Sequence, residues 1–241
     1  MVSHFPPMTA LARRLDTPDR LEPADDTILA ALPHIRRELE PGQYLVRDQG
    51  HPKYCCFLLS GFTIRHKFVG DGARQIVAIN LPGDFVDLQH VLLETADHNV
   101  EALTACSVAL IDAAALVDGA FASPAIGKAL WRHSLVEASI FREWMANIGR
   151  RDGRARTAHL LCEVGVRRET AGLGARAQFE LPMTQEQLGD ALGLTAVHVN
   201  RSLRGLEAEG LIARTRRSVT VLDWNGLAAA ADFDPAYLHH R

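Results

Sequence analysis

Between Thr195 and Arg204 the chain reads TAVHVNRSLR, with Ala196, Val197, Asn200, Arg201 and Arg204 recurring at steps of one, three and four. On a helix this spacing gathers them on one face. Guanidinium and carboxamide groups in such a row have the chemistry to hydrogen-bond base edges, and the face has the size and charge to enter a major groove. Val199, Leu203 and Leu206 form the apolar stripe with which the same helix would pack on its own protein.

The flanking residues predict how that helix is positioned. Thr195 is suited to cap it, the hydroxyl oxygen accepting from an orphan backbone N–H. Upstream, Thr184 with Gln187 three residues on has the spacing of a capping box, which predicts a first helix carrying Leu188 and Leu192 on one face. Gly193 relaxes the backbone where the chain must bend. Downstream, LIARTRRSVTV predicts a basic two-stranded hairpin, with Arg214, Arg216 and Arg217 placed to grip phosphate or simply solvated at its tip. Residues 183–221 therefore read as a winged helix-turn-helix. An ordinary helical hairpin would share the apolar stripe, but it has no need of cap, turn and wing together.

A net charge of −3 conceals an asymmetry. Residues 150–217 hold 12 Arg against 8 Asp or Glu, a local excess of +4, which leaves −7 for the remainder. Positive charge is thus concentrated where phosphates would be met. No apolar run approaches the ~18 residues of a membrane helix, since VALIDAAALV at 108–117 is broken by Asp112. Arg13 and Arg14 precede no apolar stretch, so the expected location is the cytoplasm, with no membrane partner. The cysteines are Cys55, Cys56, Cys106 and Cys162, without a CxxC pair, which argues against a structural zinc site or a disulfide framework. Adjacent Cys55 and Cys56 on a strand would point to opposite faces.

Residues 1–20 read as irregular and 24–32 as a short helix. From Pro41 short strands punctuated by Gly and Pro take over. Over 62–68 the alternation sets Phe62, Ile64 and Phe68 against Thr63, Arg65 and Lys67, with a turn at Gly70-Asp71-Gly72 and a returning strand from Ile76 to Ile79. Further strands fit 99–104 and 106–111, so a roll or sandwich is expected. From Pro124 the period becomes helical. Trp131, Leu135, Ala138, Phe141, Met145 and Ile148 follow one rhythm, while Ile126, Leu130, Ile140 and Trp144 populate another face. A helix apolar on two faces should be covered twice, unless it is a loosely patterned core helix. A polar hinge at 149–154, a helix over about 154–168 and a loop at 169–177 complete the reading.

Together with LLSGFTIRHKF at 58–68, LPGDFVDL at 81–88 and GRRDGRARTAHLLCEV at 149–164, the chain resembles the Crp/Fnr family of bacterial transcription regulators from roughly Leu32 to Val221. The resemblance implies an α+β protein. Its parts would be a double-stranded, jelly-roll-like β-roll effector domain with an N-terminal extension (1–123), a long dimerisation helix and hinge (124–150), and a winged helix-turn-helix with a tail (151–241). It implies a homodimer on a palindromic site of double-stranded DNA, with RNA polymerase as a further partner. The expected dimer contacts are Trp131, Leu135, Ala138, Phe141, Trp144, Met145 and Ile148. The expected DNA contacts are Thr184, Gln185, Thr195, Ala196, Val197, His198, Asn200, Arg201, Arg204, Arg214, Arg216 and Arg217. Arg201 matches the family arginine that reads guanine. Val197 replaces the glutamate that commonly accepts from cytosine, and suits a thymine methyl instead.

Effector binding is where the chain departs from the family pattern. Asp87-Leu88 stands where a Gly-Glu pair would anchor ribose, Ala96-Asp97 where an Arg-Ser pair would clamp the cyclic phosphate, and Phe141 and Arg142 at the two adenine-facing positions. Asp97 would repel a phosphate, so cyclic-AMP dependence is not expected, although Arg65 or Arg74 would suit an unusual anion. The family's iron–sulfur sensors carry an N-terminal cysteine cluster, and residues 1–54 hold no cysteine. No cofactor or metal is expected. His66, near Cys55, Cys56 and His90 in sequence, reads as a core histidine, with a haem- or ligand-responsive sensor as the alternative. An enzyme is not expected: a cupin needs an HxH pair, and His51, His66, His90 and His98 supply none. A Walker loop, a GxSxG elbow and an HExxH helix are likewise absent from the sequence. A protein-docking module built on the same helix-turn-helix is the remaining class. The tail pair His239-His240 reads as surface.

Overall fold

The structure, a computed structural model, describes residues 7–19, 21–215 and 217–239. The fold is α+β: an N-terminal domain of two β-sheets, one long helix, and a C-terminal helix-turn-helix with a small wing sheet. Helices α1 (Pro7–Asp19) and α2 (Pro23–Ala30) lead into β1 (His34–Leu39), β2 (Tyr44–Val46), β3 (Tyr54–Ser60), β4 (Thr63–Phe68), β5 (Arg74–Asn80), β6 (Asn99–Ala102) and β7 (Cys106–Asp112). One sheet has the order β1-β7-β3, the other β2-β6-β4-β5. Helix α3 (Ala113–Ala122) then precedes the long α4 (Pro124–Arg150) and α5 (Gly153–Thr170). The wing sheet joins β8 (Gln178–Glu180), β10 (Ser218–Val221) and β9 (Ile212–Thr215) in that order, around α6 (Gln185–Leu192) and α7 (Ala196–Ala208). Helix α8 (Trp224–Ala231) and a 3-10 turn over Pro235–Leu238 follow.

Two apolar clusters organise the N-terminal domain. Leu39, Val46, Cys56, Leu58, Val100 and Val108, drawn from both sheets, fill the space between them. Cys55, Phe57, Ala109 and Ile111 face the other way, under α1, α2, α3 and the start of α4. The neighbouring cysteines thus lie on opposite faces of β3, as the two-residue strand period requires. Because both faces of β3 and β7 are covered, these strands read as nearly continuous apolar runs.

The reading of residues 1–20 as irregular is corrected for 7–19, which form α1. Met8, Leu11 and Leu15, at steps of three and four, seat this helix in the cluster around Phe57 and Phe85. Flanking prolines and the Arg13-Arg14 pair obscured that stripe, and residues 1–6 and 20 lie outside the described residues. The alternation in β4 also differs from a half-exposed strand: Thr63, Ile64, Arg65 and His66 are all buried, so polar side chains on the second face find partners in the interior.

The chain divides into two compact units, one of residues up to 67 with 79–137, the other of 68–78 with 138–240. Helix α4 runs through both.

Candidate nucleic-acid interface

Thr184 caps α6 as the spacing predicted: its Oγ1 accepts from Gln187 N–H at 3.1 Å, and Gln187 Oε1 accepts from Thr184 N–H at 2.9 Å. Gly193 closes α6 with φ +63°, the left-handed conformation that favours glycine. Four residues earlier, a Cβ on Gly189 would run into the carbonyl of Leu194, so the close helix-to-turn approach also needs glycine there. Thr195 caps α7, its Oγ1 accepting from His198 N–H at 3.3 Å.

With both ends fixed, the faces of α7 are unambiguous. Val199, Leu203 and Leu206 are buried, while Ala196, Val197, Arg201 and Arg204 are exposed and Asn200 is half-buried. Thr195 and His198 are exposed beside them, and Thr184 and Gln185 are exposed at the start of α6. The predicted DNA-facing row of α7 is therefore one surface, presented by a helix whose opposite side is anchored in the core.

Sequence reasoning missed the hydrogen bonds and ion pairs that brace this surface. Arg156 Nη1 donates to the Leu192 carbonyl at 3.1 Å, fixing the end of α6 to α5, and Arg154 pairs with Glu209 just beyond α7. Arg214 Nη2 donates to Glu207 Oε2 at 2.8 Å, tying the wing to α7. That hydrogen bond holds the Glu207 carboxyl below its usual range despite partial desolvation. Arg214 is half-buried by this contact, whereas Arg217 is exposed at the wing turn; Arg216 lies outside the described residues.

On α4, Trp131, Leu135 and Met145 are exposed, and Ala138, Phe141 and Ile148 are half-buried. Trp144 is turned inward, its Nε1 donating to the buried Glu163 carboxylate at 3.0 and 3.1 Å.

In the β domain, Arg65 is buried, donating from Nη1 to Glu137 Oε1 at 2.7 Å and from Nη2 to the Val86 carbonyl at 2.6 Å. Asp87 is buried, with Oδ1 accepting from Cys56 N–H at 2.7 Å. Ala96 is buried, and the exposed Asp97 accepts from Lys67 Nζ at 3.2 Å and lies 2.8 Å from His98 Nδ1. The His98 hydrogen bond, with Lys67 adding to it, holds the Asp97 carboxyl down at about 2. Arg74, within the second unit, donates from Nε to Asp190 Oδ2 at 2.8 Å. His66 is fully buried, 3.3 Å from Glu101 and edge-on to Tyr44. Among the described residues, no group of three or more His, Cys, Asp or Glu is arranged to hold a metal ion, and no helix is long and apolar enough to cross a membrane.

Comparison with known proteins agrees with this arrangement. Residues 155–230 match the Crp-like helix-turn-helix domain and residues 36–119 the cyclic nucleotide-binding domain. The chain is 30% identical over 218 residues to the transcriptional activator protein FnrL of Cereibacter sphaeroides, covering 87% of this chain and 86% of that one. It is 31% identical over 169 residues to the nitrogen fixation regulation protein FixK of Bradyrhizobium diazoefficiens, covering 69% of each. The structure of FixK2 from Bradyrhizobium japonicum superposes with a TM-score of 0.76 at 25% identity, over 83% of this chain and 98% of that one. These relatives are transcription regulators, not enzymes. A helix-turn-helix built from both ends of α6 and α7, following a cyclic-nucleotide-binding-type domain and a long helix, makes this chain a member of the Crp/Fnr family of DNA-binding transcription regulators.

Proposed function

We propose that the protein acts as a cytoplasmic homodimer that reads a palindromic promoter site and needs no cyclic nucleotide to do so, with RNA polymerase as its second partner. The reading divides the chain into an effector-type domain at 1–123, a dimerisation helix and hinge at 124–150, and a DNA-binding domain at 151–241. Each subunit lays α7 in a major groove, with half-sites one helical turn apart, ~34 Å. Arg201 forks onto guanine O6 and N7, Val197 meets a thymine methyl, and Ala196, His198, Asn200 and Arg204 complete the contact. Thr184, Gln185 and Thr195 meet the flanking backbone. Arg214, Arg216 and Arg217 approach phosphate from the wing.

The dimer seam runs along Trp131, Leu135 and Met145, with Ala138, Phe141 and Ile148 beside them. Three large apolar side chains exposed on one helix support it, since a solvated helix gains nothing from them. Trp144, turned onto Glu163, supports the seam from behind.

Nucleotide independence is carried by one observation: the Arg65 guanidinium is already neutralised by this chain's own Glu137. A cyclic phosphate would have to displace that carboxylate, leaving Glu137 without its cation, and approach Asp97, so the exchange offsets little of the hydration it loses. Isothermal titration with cyclic AMP, paired with operator binding, tests this. No heat of binding and an unchanged operator affinity at millimolar nucleotide are expected. Saturable micromolar binding at one site per subunit would overturn the reading.

A further inference from the structure

The helix-turn-helix match ends at residue 230, yet the described chain continues and packs half-buried Phe233 and Tyr237 and buried Leu238 onto the C-terminal unit. Glu163 on α5 is fully buried. Its carboxylate receives donors from three segments: Trp144 Nε1 of α4 at 3.0 Å, Arg167 Nη1 of α5 at 3.2 Å, and the Tyr237 hydroxyl, from beyond α8, at 2.8 Å. A second buttress sits one turn away. Glu143 of α4 accepts from Arg151 Nη1 at 2.7 Å and lies 3.2 Å from His159 Nε2. Arg151 Nη2 also donates to the carbonyl of Asp232 at 3.0 Å. The His159 ring is stacked on Tyr237 at 5.8 Å and meets Phe233 edge-on at 5.2 Å. Leu238 is buried behind them.

The hinge between α4 and α5 is only Arg151 and Asp152, and rotation about their few soft backbone dihedrals is enough to change the angle between the helices. The two carboxylates fix it instead, because each is held by groups from both sides of the bend, and a buried carboxylate strongly resists losing a donor. The post-wing segment supplies the third side of both buttresses. Arg156 extends the block to the end of α6, through the Arg151 carbonyl at 2.7 Å and the Leu192 carbonyl at 3.1 Å.

We infer that residues 232–238 form a strap that sets the angle between α4 and α5, with Glu163 and Tyr237 as its positioning residues, and thereby sets the operator spacing the protein accepts. The inference rests on the dimeric reading above: in a dimer joined along α4, a change in this angle is a change in the separation of the two α7 helices. Neither residue meets DNA. They act through the block that carries α6 and α7.

Two measurements on the full-length chain test it, using Tyr237→Phe, which removes only the hydroxyl, and Glu163→Gln. In the free protein, amide hydrogen exchange over 147–158 should accelerate by about tenfold in both variants while α7 exchange holds, and the melting temperature of Tyr237→Phe should fall by only about 2–4 °C, as losing one hydrogen bond implies. On DNA, a palindrome selected by the wild-type protein from a randomised pool is lengthened or shortened by one base pair, about 3.4 Å. Wild type should lose about tenfold or more in affinity on either change, and Tyr237→Phe should lose threefold or less. Should the wild type select no palindrome, the dimeric reading falls while the exchange result still decides the strap. Unchanged exchange over 147–158 in both variants overturns the strap. So does a uniform loss of DNA affinity with the wild-type spacing preference intact, which is what a merely structural role would give.

Discussion

Trp131 offers the cleanest perturbation of the assembly, because in the protomer most of its side chain faces away from the chain's own core. The residue is 69% exposed, so truncation leaves no enclosed cavity behind. A tryptophan presents at most ~250 Å², which leaves roughly 150 Å² uncovered here. At about 25 cal/mol per Å² that area is worth about 4 kcal/mol if a partner covers all of it. Halving this for incomplete coverage gives about 2 kcal/mol per copy, or about 4 kcal/mol for the two copies of a symmetric dimer. At 1.4 kcal/mol per decade, Trp131→Ala should raise the dimer dissociation constant by roughly three orders of magnitude. Sedimentation equilibrium across nanomolar to micromolar protein measures this directly, and far-ultraviolet circular dichroism should show the helix content unchanged. A dissociation constant within twofold of wild type would refute the seam, as would a wild-type chain that remains monomeric throughout that range.

Other outcomes follow from the same geometry. Arg201→Ala should cost about 1–3 kcal/mol per half-site and relax the preference at one guanine. Arg217→Ala, at the exposed wing turn, should instead weaken all sequences alike and flatten the salt dependence, as equilibrium binding over a salt series would register. Burial pushes the Cys55, Cys56 and Cys106 thiols up, and Cys162 up to about 12. All four cysteines should therefore ignore a thiol-specific reagent in native protein and react in denaturant, and rapid native labelling would contradict that burial. His98 and His159 are held below the usual imidazole value, chiefly by desolvation. The unfolded chain then binds more protons below about pH 6.5, so their contribution to stability is present above that pH and lost as pH falls. The melting temperature should drop between pH 7 and 5, more shallowly in His98→Asn. An identical slope in that variant would remove His98 from the account.

The elements most legible in the sequence were those whose signals are local. The Thr184–Gln187 box, the Thr195 cap and the Val199–Leu203–Leu206 stripe each lie within a dozen residues, and together they orient α7 without reference to the rest of the chain. What stayed hidden depends on partners distant in sequence. No pattern near Arg65 announces Glu137, 72 residues away, and none near Glu163 announces Tyr237, 74 residues on. Trp144 illustrates the same limit on a helix: periodicity marked it as apolar, but only the contact with Glu163 distinguishes an inward indole from the exposed Trp131. Helix α1 was obscured because its stripe of Met8, Leu11 and Leu15 is short and interrupted by charge. The Gly189 approach to Leu194 had a legible signal, a glycine inside an otherwise helical pattern four residues before the turn glycine.

In the proposed dimer α7 is presented twice and reads an inverted repeat. Selection from a fully randomised duplex pool at about physiological salt, with no nucleotide added, tests it most directly, followed by hydroxyl-radical footprinting of the enriched sequence. An inverted repeat with a guanine in each half-site is expected, with two protected tracts about 34 Å apart on one face of the duplex. Enrichment of a single unrepeated half-site, or no enrichment even at low salt, would contradict it.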